Sequence, residues 1–145
     1  MVDEEVWPGA PVTSTSVLLL TLARTIESEL SDALSEIELT VGRLGLLGHI
    51  ASVPGASFSD LARMSNITVQ STHTAVKALK AAGLVRDDTA RAGAASRITL
   101  TGEGRRILGE AMRVVGTVDE RLFGAEADPI QRRIGETVQA AFRAA

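Results

Sequence analysis

The chain has 145 residues, no cysteine, two histidines and a net charge of −3. Disulfides, thiolate metal sites and histidine-rich metal sites are therefore excluded, and no cofactor is expected. The length suits one domain. Aromatic residues make up only 3% of the chain, so Leu, Val, Ile and Ala must build the core, which favours helices. The longest apolar run is far shorter than the ~20 residues of a membrane span, and no signal segment opens the chain, so we expect a soluble cytoplasmic protein.

The N-terminal part of the chain predicts two helices behind a loose arm. Residues 1–12 contain two prolines and show no period. A helix is predicted over 13–35, because leucine or isoleucine recurs every fourth residue from Leu18 to Leu34. A second helix is predicted from about 40 to 52, with an apolar face and a row of glycines opposite it. The predicted inward residues are Val41, Leu44, Leu47 and Ile50, and the glycines are Gly42, Gly45 and Gly48.

The middle of the chain predicts a helix–turn–helix followed by a hairpin. A short helix capped by Ser59 ends near Asn66, and a second helix runs from its N-cap Thr68 to its C-cap Gly83. The segments "LVRD" and "RITLT" are strand candidates joined by a flexible tip. The second helix is expected to bury Val69, Thr72, Val76 and Leu79.

The C-terminal part predicts two further helices. Thr101 opens a long helix, and a last helix covers about 129–143. The apolar stripe of the long helix is predicted to be Ile107, Leu108, Met112, Val115 and Leu122. The whole order predicts a mainly α fold with a small β-hairpin wing, which is the winged helix-turn-helix arrangement.

Charge is distributed unevenly along the chain. Residues 57–106 hold eight Lys or Arg and four Asp or Glu, a net charge of +4. Because the whole chain has a net charge of −3, the rest of the chain must carry a net charge of −7. A basic middle between acidic ends is the electrostatic pattern of a nucleic-acid-binding lobe on an acidic body, although chance clustering would give the same numbers.

The outer face of the predicted helix at 68–82 carries short polar side chains near its start and lysines later. This order favours a helix that enters the major groove N-terminus first, where amides and hydroxyls contact base edges and Lys contacts phosphates. A tip arginine can enter a narrow minor groove. The predicted DNA-binding residues are Thr68, Gln70, Ser71, His73, Thr74, Lys77, Arg86, Arg91 and Arg97.

The same residues also allow roles that do not involve base recognition. The polar face could simply be solvated, and we favour a phosphate contact over base recognition for His73. Arg86 and Arg97 lie on the strands and could contact phosphates or pair with Asp87 or Asp88. An enzyme is disfavoured because the chain lacks a recognisable catalytic or phosphate-binding motif. A winged helix that binds proteins or ligands without DNA is the remaining alternative.

Three segments resemble the MarR (multiple antibiotic resistance regulator) family of bacterial transcription factors. They are "ELTVGRLGLLGHIAS", "SFSDLARMSNITVQSTHTAVKALKAAGLVRDD" and "RITLTGEGRRIL", and the order of elements covers nearly the whole chain. The resemblance implies one domain, 1–145, with dimerisation helices over 13–35 and 125–145 and a winged helix-turn-helix over 40–105. It implies a homodimer on an inverted repeat of double-stranded DNA, acting as a repressor relieved by a small, often aromatic, ligand.

The sequence departs from the family in two places. The usual Asp-x-Arg of the wing is replaced by "AGA" at 92–94, with Arg91 just before it. A frequent Thr-Arg pair of the recognition helix is replaced by His73-Thr74. The family's ligand pocket lies between the dimer body and the winged module, so Arg43, His49 and the glycine face of the second helix are candidates. The sequence does not decide among them, and the ligand-binding residues stay unknown.

Overall fold

The computed structural model describes residues 14–89, 91 and 93–145. The predicted loose arm, residues 1–12, lies outside the described residues. The described elements confirm the predicted order of helices around one antiparallel hairpin. They are α1 (Thr15–Ser35), α2 (Val41–Ser52), α3 (Phe58–Ser65), α4 (Val69–Ala81), β1 (Val85–Asp87), β2 (Ile98–Leu100), α5 (Gly102–Phe123) and α6 (Pro129–Arg143).

Side-chain caps fix where the central helices begin. The Thr68 hydroxyl accepts the Ser71 amide at 3.0 Å, as predicted for the start of α4. The predicted cap Ser59 is wrong, because Ser57 caps α3. The Ser57 hydroxyl accepts the Asp60 amide at 3.1 Å, and the Asp60 carboxylate accepts the Ser57 amide at 3.2 Å. This reciprocal capping box satisfies two otherwise unpaired amides, so α3 begins earlier than its apolar pattern indicated.

Two left-handed residues end the helices of the helix–turn–helix. Asn66 has φ 52° and ends α3, and Gly83 has φ 75° and follows α4. After α4, the Gly83 amide donates to Lys80 and the Leu84 amide donates to Leu79, each at 3.0 Å. This pair of bonds is a Schellman motif, and it turns the chain from α4 directly into β1.

The core is centred on α2, which packs against α1, α3, α5 and β2. Leu47 and Ile50 are buried as predicted, but Leu46 is buried as well, while Val41 and Leu44 are only partly buried. A helix with neighbours on several sides buries more than one stripe, so the single predicted stripe was too narrow. The fully buried large residues of the core are Leu34, Leu47, Ile50, Leu61, Leu79 and Ile98.

Helix α4 buries one residue fewer than predicted. Val76 and Leu79 are buried, and so is Thr72, whose hydroxyl donates to the Thr68 carbonyl at 3.0 Å. This bond removes the cost of burying a hydroxyl. The prediction for Val69 is wrong, because 45% of this residue is exposed. Val69 is the first residue of α4, and the buried residues of this helix begin only one turn later, at Thr72.

The hairpin lies against the turn between α2 and α3. Strands β1 and β2 pair in the register Val85↔Leu100, Arg86↔Thr99 and Asp87↔Ile98. A further bridge joins Ala56 to Ile98. Because Ile98 is fully buried, this bridge fixes the base of the wing to the helical core.

Apolar side chains remain exposed on α1, α5 and α6. Met112, predicted to face inward from α5, is 57% exposed, and the buried residues of α5 are instead Gly104, Ala111 and Val118. The exposed apolar residues of α1 and α6 are Val17, Leu18, Leu19, Leu20, Ile130, Val138 and Phe142. None of the helices formed by residues 14–89 and 93–145 has the length and apolarity that crossing a membrane would require.

Candidate nucleic-acid interface

The predicted contact residues of α4 share one exposed surface. Thr68, Gln70, Ser71, His73, Thr74 and Lys77 are all exposed. Two shallow clefts, of about 410 and 360 Å³, run along this surface, and Gln70 and Thr74 line both of them. These two residues therefore form a ridge between the clefts, which we call the α4 ridge.

The two clefts on either side of the α4 ridge have different walls. The first, here the wing-side cleft, is lined beyond the ridge by His73, Lys77 and Lys80 of α4, Phe58 of α3 and Asp87 of β1. The second, here the α2-side cleft, is lined beyond the ridge by Ser71, Ala75 and Ala78 of α4 and by Arg43 of α2. Positive side chains thus lie on both sides of the ridge.

The exposed polar groups of this surface differ in how far they are already hydrogen-bonded within the protein. The Thr68 hydroxyl caps α4 and also contacts the Ser71 hydroxyl at 2.9 Å, so both are partly engaged within the protein. The Thr74 hydroxyl donates to the Gln70 carbonyl at 3.2 Å, which leaves its oxygen lone pairs facing outward. The Gln70 side-chain amide has no hydrogen-bond partner among the described residues, so both its donors and its acceptor are available.

His73 has a packing role that the sequence did not reveal. Its ring stacks on Phe58, with ring centroids 3.8 Å apart and an angle of 21° between the planes. The stack joins α3 to α4 and limits the rotation of the imidazole. His73 remains exposed at the wing-side cleft, where a ring N–H can donate to an anion.

The arginines of the wing strands are engaged differently from one another. The Arg86 guanidinium donates to Asp88 at 3.2 Å and to Thr99 at 3.3 Å. Of the two roles predicted for Arg86, a phosphate contact or an ion pair with Asp87 or Asp88, the structure thus shows the ion pair with Asp88. The Arg97 side chain lies over the turn at Gly55, where its Nε would be 3.5 Å from an added Cβ. Gly55 has φ +81°, a conformation that also favours glycine.

Asp87 holds the two strands together at the base of the wing. One of its carboxylate oxygens accepts the Thr89 hydroxyl, the Thr89 amide at 3.0 Å and the Arg97 amide at 3.4 Å. The Thr89 hydroxyl is the main reason that the pKa of Asp87 is lowered, and Lys80 lowers it further. Beyond this base, Arg91 is exposed, and its carbonyl accepts the Ala94 amide at 3.1 Å.

A cavity of about 570 Å³ lies between α2, the hairpin and α5, and we call it the α5 cavity. Leu108 and Met112 form an apolar wall, and Arg86 and Arg105 add positive charge. From α2 it is lined by Ile50 and Ala51, whereas Arg43, His49 and the three glycines of α2 are not among its lining residues. No side-chain atom within 4 Å would meet a Cβ at any of those glycines.

In the part of the chain that the structure describes, no three His, Asp or Glu residues are grouped so that they could hold a metal ion.

Residues 37–93 match the model of the MarR family. A relative of known role is the HTH-type transcriptional repressor Rv2887 of Mycobacterium tuberculosis. It is 33% identical over 116 residues, which cover 79% of this chain and 84% of the relative.

Solved structures of Rv2887 are also similar to this chain. Its crystal structure is described as a MarR family protein, with TM-score 0.73 and 30% identity over 91% of this chain and 96% of that one. Its complex with DNA gives TM-score 0.72 and 28% identity, covering 88% and 97%. Its complex with salicylic acid gives TM-score 0.68 and 29% identity, covering 88% and 96%.

Proposed function

The chain belongs to the MarR family, and from that premise we propose that it is a sequence-specific DNA-binding transcriptional repressor. In this proposal it binds an inverted repeat as a homodimer and leaves the DNA when a small aromatic ligand binds. Membership confirms the resemblance stated from the sequence. A repressor must reach the chromosome, so the proposal also places the protein in the cytoplasm.

The α4 ridge is the observation that carries the proposal. Gln70 offers a free amide that can pair bidentately with adenine, and Thr74 offers an acceptor and a methyl group. Lys77 and His73 stand beside them at the wing-side cleft and suit phosphates. The lysines of the wing-side cleft lie on one side of the ridge, and Arg43 lies on the other. Hydrogen-bonding groups placed between positive charges favour contact with DNA over a face that is only solvated. The related Rv2887, crystallised with DNA, supports the same use of this fold.

The homodimer is proposed from the exposed apolar surface of α1 and α6. A groove of about 570 Å³ lies between α1, α5 and α6 and is lined by Leu19, Ile26, Phe123 and Ile134. Phe142 is 82% exposed at the end of α6, and α6 buries none of its residues. Contiguous apolar surface of this kind marks an interaction site, and a second copy of the same helices would cover it.

We propose the α5 cavity as the effector site. Its volume lies within the range of small-molecule pockets, about 300–1,000 Å³. The apolar wall of Leu108 and Met112 suits an aromatic ring, and Arg105 suits a carboxylate. The complex of Rv2887 with salicylic acid makes that compound a suitable probe. Salicylate binding measured by calorimetry should weaken in Met112→Glu and in Arg105→Gln.

Selection of binding sites from random DNA tests the proposed function. The dimer should enrich an inverted repeat whose half-site centres lie about 10 base pairs apart, one turn of the duplex. Salicylate should lower the affinity for the enriched sequence. No enrichment of any sequence, with a fully folded protein, would instead favour a winged helix that binds proteins or ligands without DNA.

A further inference from the structure

Arg43 lies beside the α4 ridge, although it is distant from the ridge residues in the sequence. It belongs to the first turn of α2, 27 residues before Gln70, yet both line the α2-side cleft. Ser71 and Thr74 line the same cleft. Arg43 therefore lies at the same surface as the residues proposed to contact bases.

Three arginines near the winged module are already paired with acidic side chains. Arg63 pairs with Asp60 at 2.7 Å, Arg86 pairs with Asp88 at 3.2 Å, and Arg106 pairs with Glu103 and Glu110 at 2.6 and 3.0 Å. Among the described residues, the Arg43 side chain has neither an ion pair nor a hydrogen bond. It is a cation without a local anion, and no Asp or Glu is among the lining residues of the α2-side cleft.

The placement of Arg43 relative to the lysines gives it a specific role. Lys77 and Lys80 line the wing-side cleft, and Arg43 lines the α2-side cleft, with the α4 ridge between them. A helix that enters the major groove, about 12 Å wide, has a sugar–phosphate backbone on each side. We propose that Arg43 binds a phosphate of the strand opposite the one that Lys77 contacts, so that the two cations clamp α4 across the groove.

The surroundings of Arg43 suit a close approach of the DNA backbone. Ala75 and Ala78 line the α2-side cleft with small side chains. A guanidinium can also bind a phosphate with two parallel hydrogen bonds, which fixes its orientation more strongly than an ammonium would.

The test rests on the proposed function and uses the full-length dimer with its selected operator and a scrambled duplex. Arg43→Ala should make the plot of log affinity against log salt less steep by about 0.9 on both DNAs, the contribution of one phosphate contact. If the variant and the wild type bind equally at 1 M salt, this change corresponds to roughly five-fold weaker binding by the variant at 0.15 M salt. Arg43→Lys should restore most of this loss. Arg113→Ala, which removes an exposed arginine from α5, is the matched control and should leave the slope unchanged.

Methylphosphonate scanning of both operator strands tests the clamp itself. Neutralising the phosphate that Arg43 contacts should weaken wild-type binding but have little further effect on Arg43→Ala. The phosphate whose neutralisation has little further effect on Lys77→Ala should lie on the other strand. An unchanged slope in a folded Arg43→Ala dimer, or both phosphates on one strand, would overturn the inference while leaving the DNA-binding function intact. A wild-type protein without sequence preference would overturn both together.

Discussion

Gly104 lies directly against the Leu84 carbonyl, so that a Cβ on Gly104 would be 1.9 Å from the Leu84 oxygen. The same carbonyl accepts the Thr101 amide at 3.0 Å, and the Thr101 hydroxyl donates to Gly83 at 2.6 Å. The start of α5 is thus bonded to the turn that ends α4. Only glycine permits this approach, because any side chain at 104 would push α5 away from the turn that follows α4.

Gly104→Ala should therefore destabilise the protein by about 1–3 kcal/mol, the usual cost of forcing extra atoms into a packed site. Gly109→Ala is the control in the same helix, since no atom lies within 4 Å of its added Cβ. It should be neutral or stabilise by up to about 1 kcal/mol through helix propensity. Urea unfolding measures both, and equal effects of the two substitutions would contradict the close contact.

Thr89→Val should raise the pKa of Asp87 toward its ordinary value of about 3.9, because the variant loses the hydroxyl that most stabilises the carboxylate. The pKa in the folded protein is lowered, so the stabilisation is fully present above about pH 4 and is lost as the pH falls through the folded pKa. Carboxyl NMR titration measures the shift.

The stability difference between wild type and Thr89→Val should accordingly shrink between pH 7 and pH 3. Thr117→Val is the control, because the Thr117 hydroxyl donates to the Arg113 carbonyl within α5 and contacts no carboxylate. An Asp87 pKa that is the same in wild type and Thr89→Val would show that the hydroxyl does not stabilise this carboxylate.

Phe142→Asp should convert the dimer to monomers at micromolar concentration, because it puts a charge on the apolar surface of α6 that the partner is proposed to cover. Val53→Asp, an equivalent change at a position that is 43% exposed and follows α2, should leave the dimer intact. Light scattering after gel filtration measures the mass. A dimeric Phe142→Asp would contradict the proposed interface.

The order of elements could be predicted because its signals are local. Thr68 and Thr101 cap the helices that follow them, and Gly83 has the left-handed conformation that its position after α4 predicts. Each of these signals depends on residues within one helical turn. The same reasoning located the hairpin, whose strands are only three residues long, because turn-forming residues separate two short apolar segments.

Burial was predicted less well because it depends on which elements surround a helix. Leu46 is buried because α2 has neighbours on several sides, and Met112 is exposed although it follows the apolar period of α5. A period identifies one face of a helix but does not show how many faces are covered.

The surface of α4 was predicted correctly as exposed, but its neighbours were not foreseen. The stack of His73 on Phe58 joins residues 15 positions apart, and Arg43 reaches the surface from a different helix. Nothing in a single sequence pairs these positions, since both contacts exist only once the helices are packed. From the sequence, Arg43 was only one of several candidates for a ligand pocket, because α2 as a whole was expected near one.

The central claim is that the α4 ridge recognises bases, whereas the adjacent Lys77 attracts the DNA backbone whatever its sequence. One series of binding measurements at different salt concentrations tests this claim. Binding of Gln70→Ala, Thr74→Ala and Lys77→Ala is measured on the operator and on scrambled DNA. The ridge variants should each lose about 1–3 kcal/mol on the operator and almost nothing on scrambled DNA. Lys77→Ala should weaken binding to both and lower the salt slope by about one phosphate contact. Equal losses on both DNAs for all three variants would contradict base recognition by α4.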